Sequence, residues 1–392
     1  MIPYGRQHVT DDDVAAVTAV LRSDWLTQGP AIERFEADLC RQAGAGHAVA
    51  VNSATSALHV ACAALGLGPG DRLWTSPNTF LASAYAGLYC GAAVDFVDIE
   101  PATGNMSATA LADALAAAEL AGRLPKVVVP VHFAGRSCDM EPIHALARRY
   151  GFAVVEDAAH AIGGRYRGDP VGSGRYADVT VFSFHPVKVI TTTEGGAALT
   201  GDAKLAARMR RLRSHGTTRD PAEMDGPPDG PWTYQALELG WNYRMTDLQA
   251  ALGSSQLQRL EGYVARRAAL AARYTRRLAG TGLTLPPVDP EIDSAWHLYV
   301  IGWDAERAGI GRRAAFEHLR AAGIGVQVHY APVHLQPLFR AQGFRPGQFP
   351  NAEAYYARAI TLPLHATLTE EEQDRVIESL PLSPEQRRSV AA

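Results

Sequence analysis

The stretch KVVVPVHFAGRSCDMEPIHALARRYGFAVVEDAAH, residues 126–160, holds two short apolar runs with a helical segment between them. VVV at 127–129 and FAVV at 152–155 are short and mostly β-branched, whereas DMEPIHALARRYG reads as a helix. Strand, helix and strand within about 30 residues make a βαβ unit. Apolar runs without polar alternation belong to strands buried on both faces. The rhythm continues upstream: HAVAVN precedes TSALHVACAALGL, RLWTSP precedes TFLASAYAGLYCG, and AAVDFVDI precedes MSATALADALAAAEL. Downstream comes DVTVFSF. The expected fold class is α/β, with a large, mostly parallel sheet.

Near residue 216 the pattern breaks into HGTTRDPAEMDGPPDGPW, whose Gly, Pro and Asp content predicts a long exposed loop. Long helices are expected over roughly 246–279, and LTLPPVDPEIDS reads as a linker. SAWHLYVIGW, a helix around RRAAFEHLRAAG, a strand at IGVQVHY and a last helix over about 369–381 predict a smaller α+β domain. The expected division is an N-terminal arm over 1–30, a large α/β domain over 31–250, and connecting helices with the small domain over 251–392.

With 392 residues, 47% of them hydrophobic, the chain can bury a large core. A formal charge of −4 supplies none of the basic field that a phosphate backbone demands, so nucleic acid is excluded as the expected partner. The start, MIPYGRQHVTDDDV, has no basic and apolar leader, and no run is long enough to span a bilayer. A cytoplasmic location without membrane attachment is expected. Cys40, Cys62, Cys90 and Cys138 lack paired spacing, which speaks against zinc, iron-sulfur clusters or a disulfide framework. They are expected to be buried thiols.

FAVVEDAAH places Asp157 at the end of an apolar strand, where an unpaired carboxylate is costly and calls for a cationic partner. Lys188 in FSFHPVK follows the next strand, so both residues can face one crevice at the strand ends of a doubly wound sheet. A plain ion pair fits the same two positions. In AVAVNSATSALH a strand ends at Asn52 and Ser53, Ala54, Thr55 and Ser56 open a helix. Free amides and hydroxyls there can cradle a phosphate, or merely cap the helix. Phe80 in SPNTF can present a flat face to a ligand or belong to the core. Lysine, carboxylate, phosphate cradle and stacking aromatic together are what a pyridoxal phosphate enzyme needs.

At these residues the chain resembles the nucleotide-sugar aminotransferases of the DegT-like family, fold type I pyridoxal-phosphate enzymes with the aspartate-aminotransferase-like fold. The likeness runs through SDWLTQGP, NSATSALH, SPNTF, PVHFAG, EDAAHAIG, FSFHPVK, GWNYRMTD and VHYAPVHLQP. It implies that Lys188 forms the internal aldimine of pyridoxal 5'-phosphate and that Asp157 pairs with the pyridine nitrogen. His160 would hydrogen-bond the ring oxygen and Phe80 would stack on the ring. Ala54, Thr55 and Ser183 would hold the phosphate, joined by Asn242 from the neighbouring subunit of a homodimer. Ala54 departs from the glycine common in the family and would be strained if φ there were positive. Lys188 also separates the chain from the family's sugar 3-dehydratases, which carry histidine at that position.

WLTQGP, FSFHPVK and HYAPVHLQP resemble the branch that aminates C4 of a UDP-linked 4-keto-6-deoxy-N-acetylhexosamine in pseudaminic acid biosynthesis, with L-glutamate as the implied donor. Trp25, Thr27 and Gln28 of the N-terminal arm and His329, Tyr330 and His334 would then contact the substrate, as would Pro332. HYAPVH has no acidic or cysteine partner at ligand spacing, so no metal is expected. His132 and His215 read as structural or interface residues, and Arg244 fits either an interface ion pair or a carboxylate clamp. Another 4-keto-6-deoxy nucleotide sugar, or a catalytically silent scaffold on the same fold, are the alternative readings.

Overall fold

Seven strands form the central sheet of the computed structural model, which describes residues 1–390. They are β1 (His47–Val51), β2 (Arg72–Thr75), β3 (Ala93–Phe96), β4 (Val127–Val129), β5 (Ala153–Asp157), β8 (Val179–Ser183) and β9 (Gly196–Thr200). The short pair β6 (Arg165–Tyr166) and β7 (Asp169–Pro170) lies outside this sheet. The order is β1-β9-β8-β5-β4-β2-β3. Only β9 runs against its neighbours in this sheet, antiparallel to both β1 and β8. The opening βαβ reading corresponds to β4, the helix Met140–Tyr150 and β5, with Val127 paired to Ala153 in parallel register.

The other six strands therefore point their C-terminal ends to one edge, where ligands bind in open α/β sheets. Asp157 ends β5 and Ser183 ends β8, and β1 feeds the helix Ala54–Ala64 across that edge. That helix buries eight of its eleven residues, among them Leu58, Val60 and Cys62. Its small alanines let it lie close to both sheet and neighbouring helices.

The loop after Gly216 carries a two-residue hairpin, Thr217–Thr218 with Gln235–Ala236. The helical region beyond it is two helices, Asp247–Leu257 and Leu260–Leu278. In the C-terminal part, Tyr299–Gly302 pairs antiparallel with Ala359–Leu362. The helices Arg312–Ala321 and Glu370–Glu378 accompany this pair, and Tyr299, Leu319, Ile360 and Val376 belong to one buried cluster. Ile2 belongs to that cluster too.

IGVQVHY does not form the expected strand. It makes single bridges, Ile324 to Ile2 and Gln327 to Thr361, after which the Tyr330 amide donates to Asn78 Oδ1 at 3.2 Å. Three different partners claim this segment in turn, which prevents a continuous ladder. All four cysteines are free; Cys62 and Cys138 are buried, whereas Cys40 and Cys90 are only partly so. No helix among the described residues is long and apolar enough to cross a membrane.

Candidate active site

The strand-end edge holds a pocket of about 460 Å³. Of the residues singled out in the sequence, Ala54, Thr55, Phe80, Asp157, His160, Ser183, Lys188, His329 and Tyr330 all line it. Residues from five separate stretches of the chain thus converge on one cavity.

One end of the pocket is built by the helix Ala54–Ala64. Ser53 caps it, its Oγ accepting the Ser56 amide at 3.1 Å, while the amides of Ala54 and Thr55 have no acceptor among the described residues. Two free amides, the positive end of a helix dipole and the Thr55 and Ser183 hydroxyls fit a phosphate group. Ala54 is the first residue of the helix and its φ is not positive, so alanine sits there without strain. Gly196 permits this closeness: a Cβ on it would lie 2.5 Å from the Ala54 nitrogen.

At the other end Asp157 is 5% exposed. Its Oδ1 accepts the Ala159 amide at 3.1 Å and its Oδ2 the Ser83 hydroxyl at 2.6 Å. Lys188 follows the turn closed by its own amide on the His185 carbonyl, at 2.9 Å. Burial brings its ammonium down to about 8, against the attraction of Asp157, which raises it. A lysine with that value is partly neutral at ordinary pH and can act as nucleophile and base. Phe80, 59% exposed, is free to cover a planar ligand instead of filling the core.

His160 accepts the Ala134 amide on Nδ1 at 3.2 Å, which leaves its proton on Nε2, 3.2 Å from the Tyr330 hydroxyl. Burial and the nearby Lys188 charge hold His160 well below the usual histidine range. Burial likewise brings His329 down to about 3, with the Lys188 charge adding to the effect. Its Nδ1 lies 2.8 Å from the Thr361 hydroxyl. His160 and His329, two of the walls beside Lys188, are therefore neutral imidazoles.

Other expected contacts lie elsewhere. His334 is fully buried, with Nε2 3.0 Å from Glu353 and its ring against Phe349. Trp25, Thr27 and Gln28 are exposed and outside this chain's pocket. That arm is anchored by a bridge from Thr27 to Thr246 and by Asp247, which accepts the Gly29 and Ala31 amides at 2.7 and 3.0 Å. Asn242 is exposed too. His132 is buried, Nδ1 accepting the Cys138 amide at 3.1 Å, and His215 is exposed. Arg244 pairs through its backbone with Val51.

Sequence reasoning missed Tyr4, Thr79 and Glu194 as pocket residues. Glu194 could have been found beside the glycine pair after Lys188. Tyr4 had no local signal, because a distant backbone contact brings the N-terminus back. Among the described residues no group of three or more His, Cys, Asp or Glu side chains could hold a metal.

Comparison with known proteins agrees with this geometry. SpsC of Bacillus subtilis (strain 168), a spore coat polysaccharide biosynthesis protein, is 40% identical over 97% of this chain and 96% of its own length. The structure of Helicobacter pylori PseC, an aminotransferase involved in the biosynthesis of pseudoaminic acid, superposes with a TM-score of 0.87. The two are 31% identical over 100% of this chain and 99% of PseC. Spr1654 of Streptococcus pneumoniae, in its PMP form, gives the same TM-score at 31% identity, covering 99% of this chain and 100% of that one. The DegT/DnrJ/EryC1/StrS aminotransferase family model matches residues 7–381. With the free Ala54 and Thr55 amides, buried Asp157 and softened Lys188 meeting in one pocket and the family model spanning residues 7–381, the chain belongs to this family of aminotransferases, whose cofactor is pyridoxal phosphate.

Proposed function

We propose that the protein transfers an amino group from L-glutamate to C4 of a UDP-linked 4-keto-6-deoxy-N-acetylhexosamine, the amination step of pseudaminic acid biosynthesis. The observation that carries the reading is the meeting of Lys188, Asp157 and the free Ala54 and Thr55 amides in one pocket. Likeness to PseC supports the acceptor. When bound, pyridoxal phosphate supplies a carbonyl carbon that exchanges amine partners and a ring that takes up electrons.

Each residue has a role in that chemistry. The Ala54 and Thr55 amides and the Thr55 and Ser183 hydroxyls bind the phosphate and fix the ring's position. Phe80 covers one face. Asp157 holds a proton on the ring nitrogen, where a carboxylate favours the cation. Lys188 Nζ would hold the cofactor through its carbonyl carbon and would carry the proton released from the α-carbon of glutamate, and would serve the sugar in the reverse sense. Glutamate leaves as 2-oxoglutarate and the ketone becomes an amine, so nitrogen and electrons balance.

The proposal includes a cytoplasmic homodimer. Asn242 is exposed outside its own pocket, and Trp25, Trp232, Tyr234 and Leu239 are exposed as well. Large apolar side chains displayed in this way favour a covering partner. The 40% identity to SpsC favours a second reading, in which the acceptor is another 4-keto-6-deoxy nucleotide sugar.

One experiment separates the acceptors. Loaded enzyme is treated with L-glutamate until its visible absorbance bleaches, the donor is removed, and a panel of 4-keto nucleotide sugars is added. Return of the absorbance with the UDP-linked L-arabino ketosugar alone is expected. Return only with another sugar selects the second reading, and no bleaching with glutamate overturns the donor assignment.

A further inference from the structure

Asp157 has two carboxylate oxygens and two protein donors. Oδ1 accepts the Ala159 amide at 3.1 Å, and Oδ2 accepts Ser83 Oγ at 2.6 Å. Ser83 is fully buried in the helix Leu81–Tyr89, one turn beyond Thr79, whose Oγ1 lies 2.7 Å from the Ser83 Oγ. Either hydroxyl could donate in isolation. An ionised carboxylate only accepts, however, and Ser83 has one proton to give. The Phe80 carbonyl, at 3.4 Å, is a poor competitor for it. The Ser83 proton therefore goes to Asp157, and Thr79 must donate to Ser83. Thr79 itself lines the pocket.

We propose that Thr79 and Ser83 form a two-hydroxyl relay that holds the Asp157 carboxylate aimed at the cofactor's ring nitrogen, making both positioning residues for the transamination. The inference rests on the reading of Asp157 as the partner of that nitrogen. The relay has a direction: it satisfies the carboxylate form and loses its terminal acceptor if a proton moves onto Oδ2. Hydrogen bonds to charged groups are shorter and stronger than neutral ones, and a second donor behind the first strengthens it. The proton shared between Asp157 and the ring is thereby pushed toward the ring. The segment SPNTFLAS serves the site from several positions, with Phe80 in the pocket wall and Asn78 accepting the Tyr330 amide at 3.2 Å.

The test uses holoenzyme loaded with pyridoxal phosphate carrying ¹⁵N in the ring. Its chemical shift reports protonation of the ring nitrogen, which a merely structural hydroxyl would not move. Ser83→Ala should shift the signal toward the neutral pyridine and lower kcat by on the order of 10- to 100-fold, the loss expected for one hydrogen bond to a charged group. KM for glutamate should change little. Thr79→Val should move the signal the same way by less, and Thr79→Ser, which keeps the hydroxyl, should restore it. Asp157→Asn is the reference. A signal displaced by Asp157→Asn but untouched by both Ser83→Ala and Thr79→Val would overturn the relay and leave the Asp157 assignment standing. A signal that Asp157→Asn also leaves in place would overturn that assignment and the relay together.

Discussion

At the residue scale, the site depends on one lysine and one close approach. Lys188→Ala removes the amine that burial has brought down to about 8. The variant should fold, bind cofactor without a borohydride-reducible bond, and show no turnover; full turnover would refute the assignment. Gly196→Ala forces a methyl to within 2.5 Å of the Ala54 nitrogen and 2.6 Å of the Ser53 carbonyl carbon. Both are backbone atoms and cannot rotate aside. We expect about 1–3 kcal/mol of destabilisation from overpacking, and roughly tenfold weaker cofactor binding measured by fluorescence titration, since 1.4 kcal/mol is tenfold in affinity. Asp157 was legible because it ends a recognisable strand, and Lys188 because it follows another by one short turn. Ser83 was not, because a serine in an alanine-rich helix looks like any other small residue until the carboxylate it faces is known.

At the scale of elements, Asp247 shows how one helix starts another. It is 1% exposed, sits in the first turn of Asp247–Leu257, and accepts two amides at the start of Pro30–Ala43. Asp247→Ala leaves both half-buried amides without that acceptor. Loss of about 2 kcal/mol is expected, the upper end for a lost cap, together with faster proteolysis between Arg22 and Pro30. Unaltered cleavage would mean that the arm is held by other contacts. The βαβ rhythm predicted six of the seven strands because each is built on a short, mostly apolar run, whereas the antiparallel β9 follows no helix and was not legible from it. The boundary between the helices ending at Leu257 and starting at Leu260 was not legible. Arg259 at that break reaches Asp13 and lies 3.0 Å from the Tyr263 hydroxyl, so a long-range ion pair holds what no local breaker residue announces. IGVQVHY failed as a strand for a related reason: its pattern is right, but its partners are three different segments.

For the whole molecule, three desolvated histidines contribute to the response to acid. Burial brings His59 and His365 down to about 4 and His329 to about 3. These folded values lie below the ordinary 6.5, so as pH falls the unfolded chain takes up protons first. The stability involved is present above pH 6.5 and is lost progressively toward pH 4. A fully shielded histidine contributes at most about 1.4 kcal/mol per pH unit, and the less enclosed His59 and His365 contribute less. The thermal midpoint should fall between pH 7 and 5. His59→Phe, within the cluster of Trp241, Tyr243 and Tyr89, should flatten that slope; an unchanged slope would remove His59 from the account.

Order of assembly on the ribosome follows from the N-terminal contact. The Ile2 amide donates to the Gly323 carbonyl at 2.8 Å and the Ile2 carbonyl accepts the Gly325 amide at 2.6 Å, while Tyr4 forms part of the pocket wall. Those contacts wait until the chain beyond residue 325 has been made, tens of seconds later at about 5–20 residues per second. Ile2 and Tyr4 are thus made long before the segment that holds them, and the pocket closes only when the two meet.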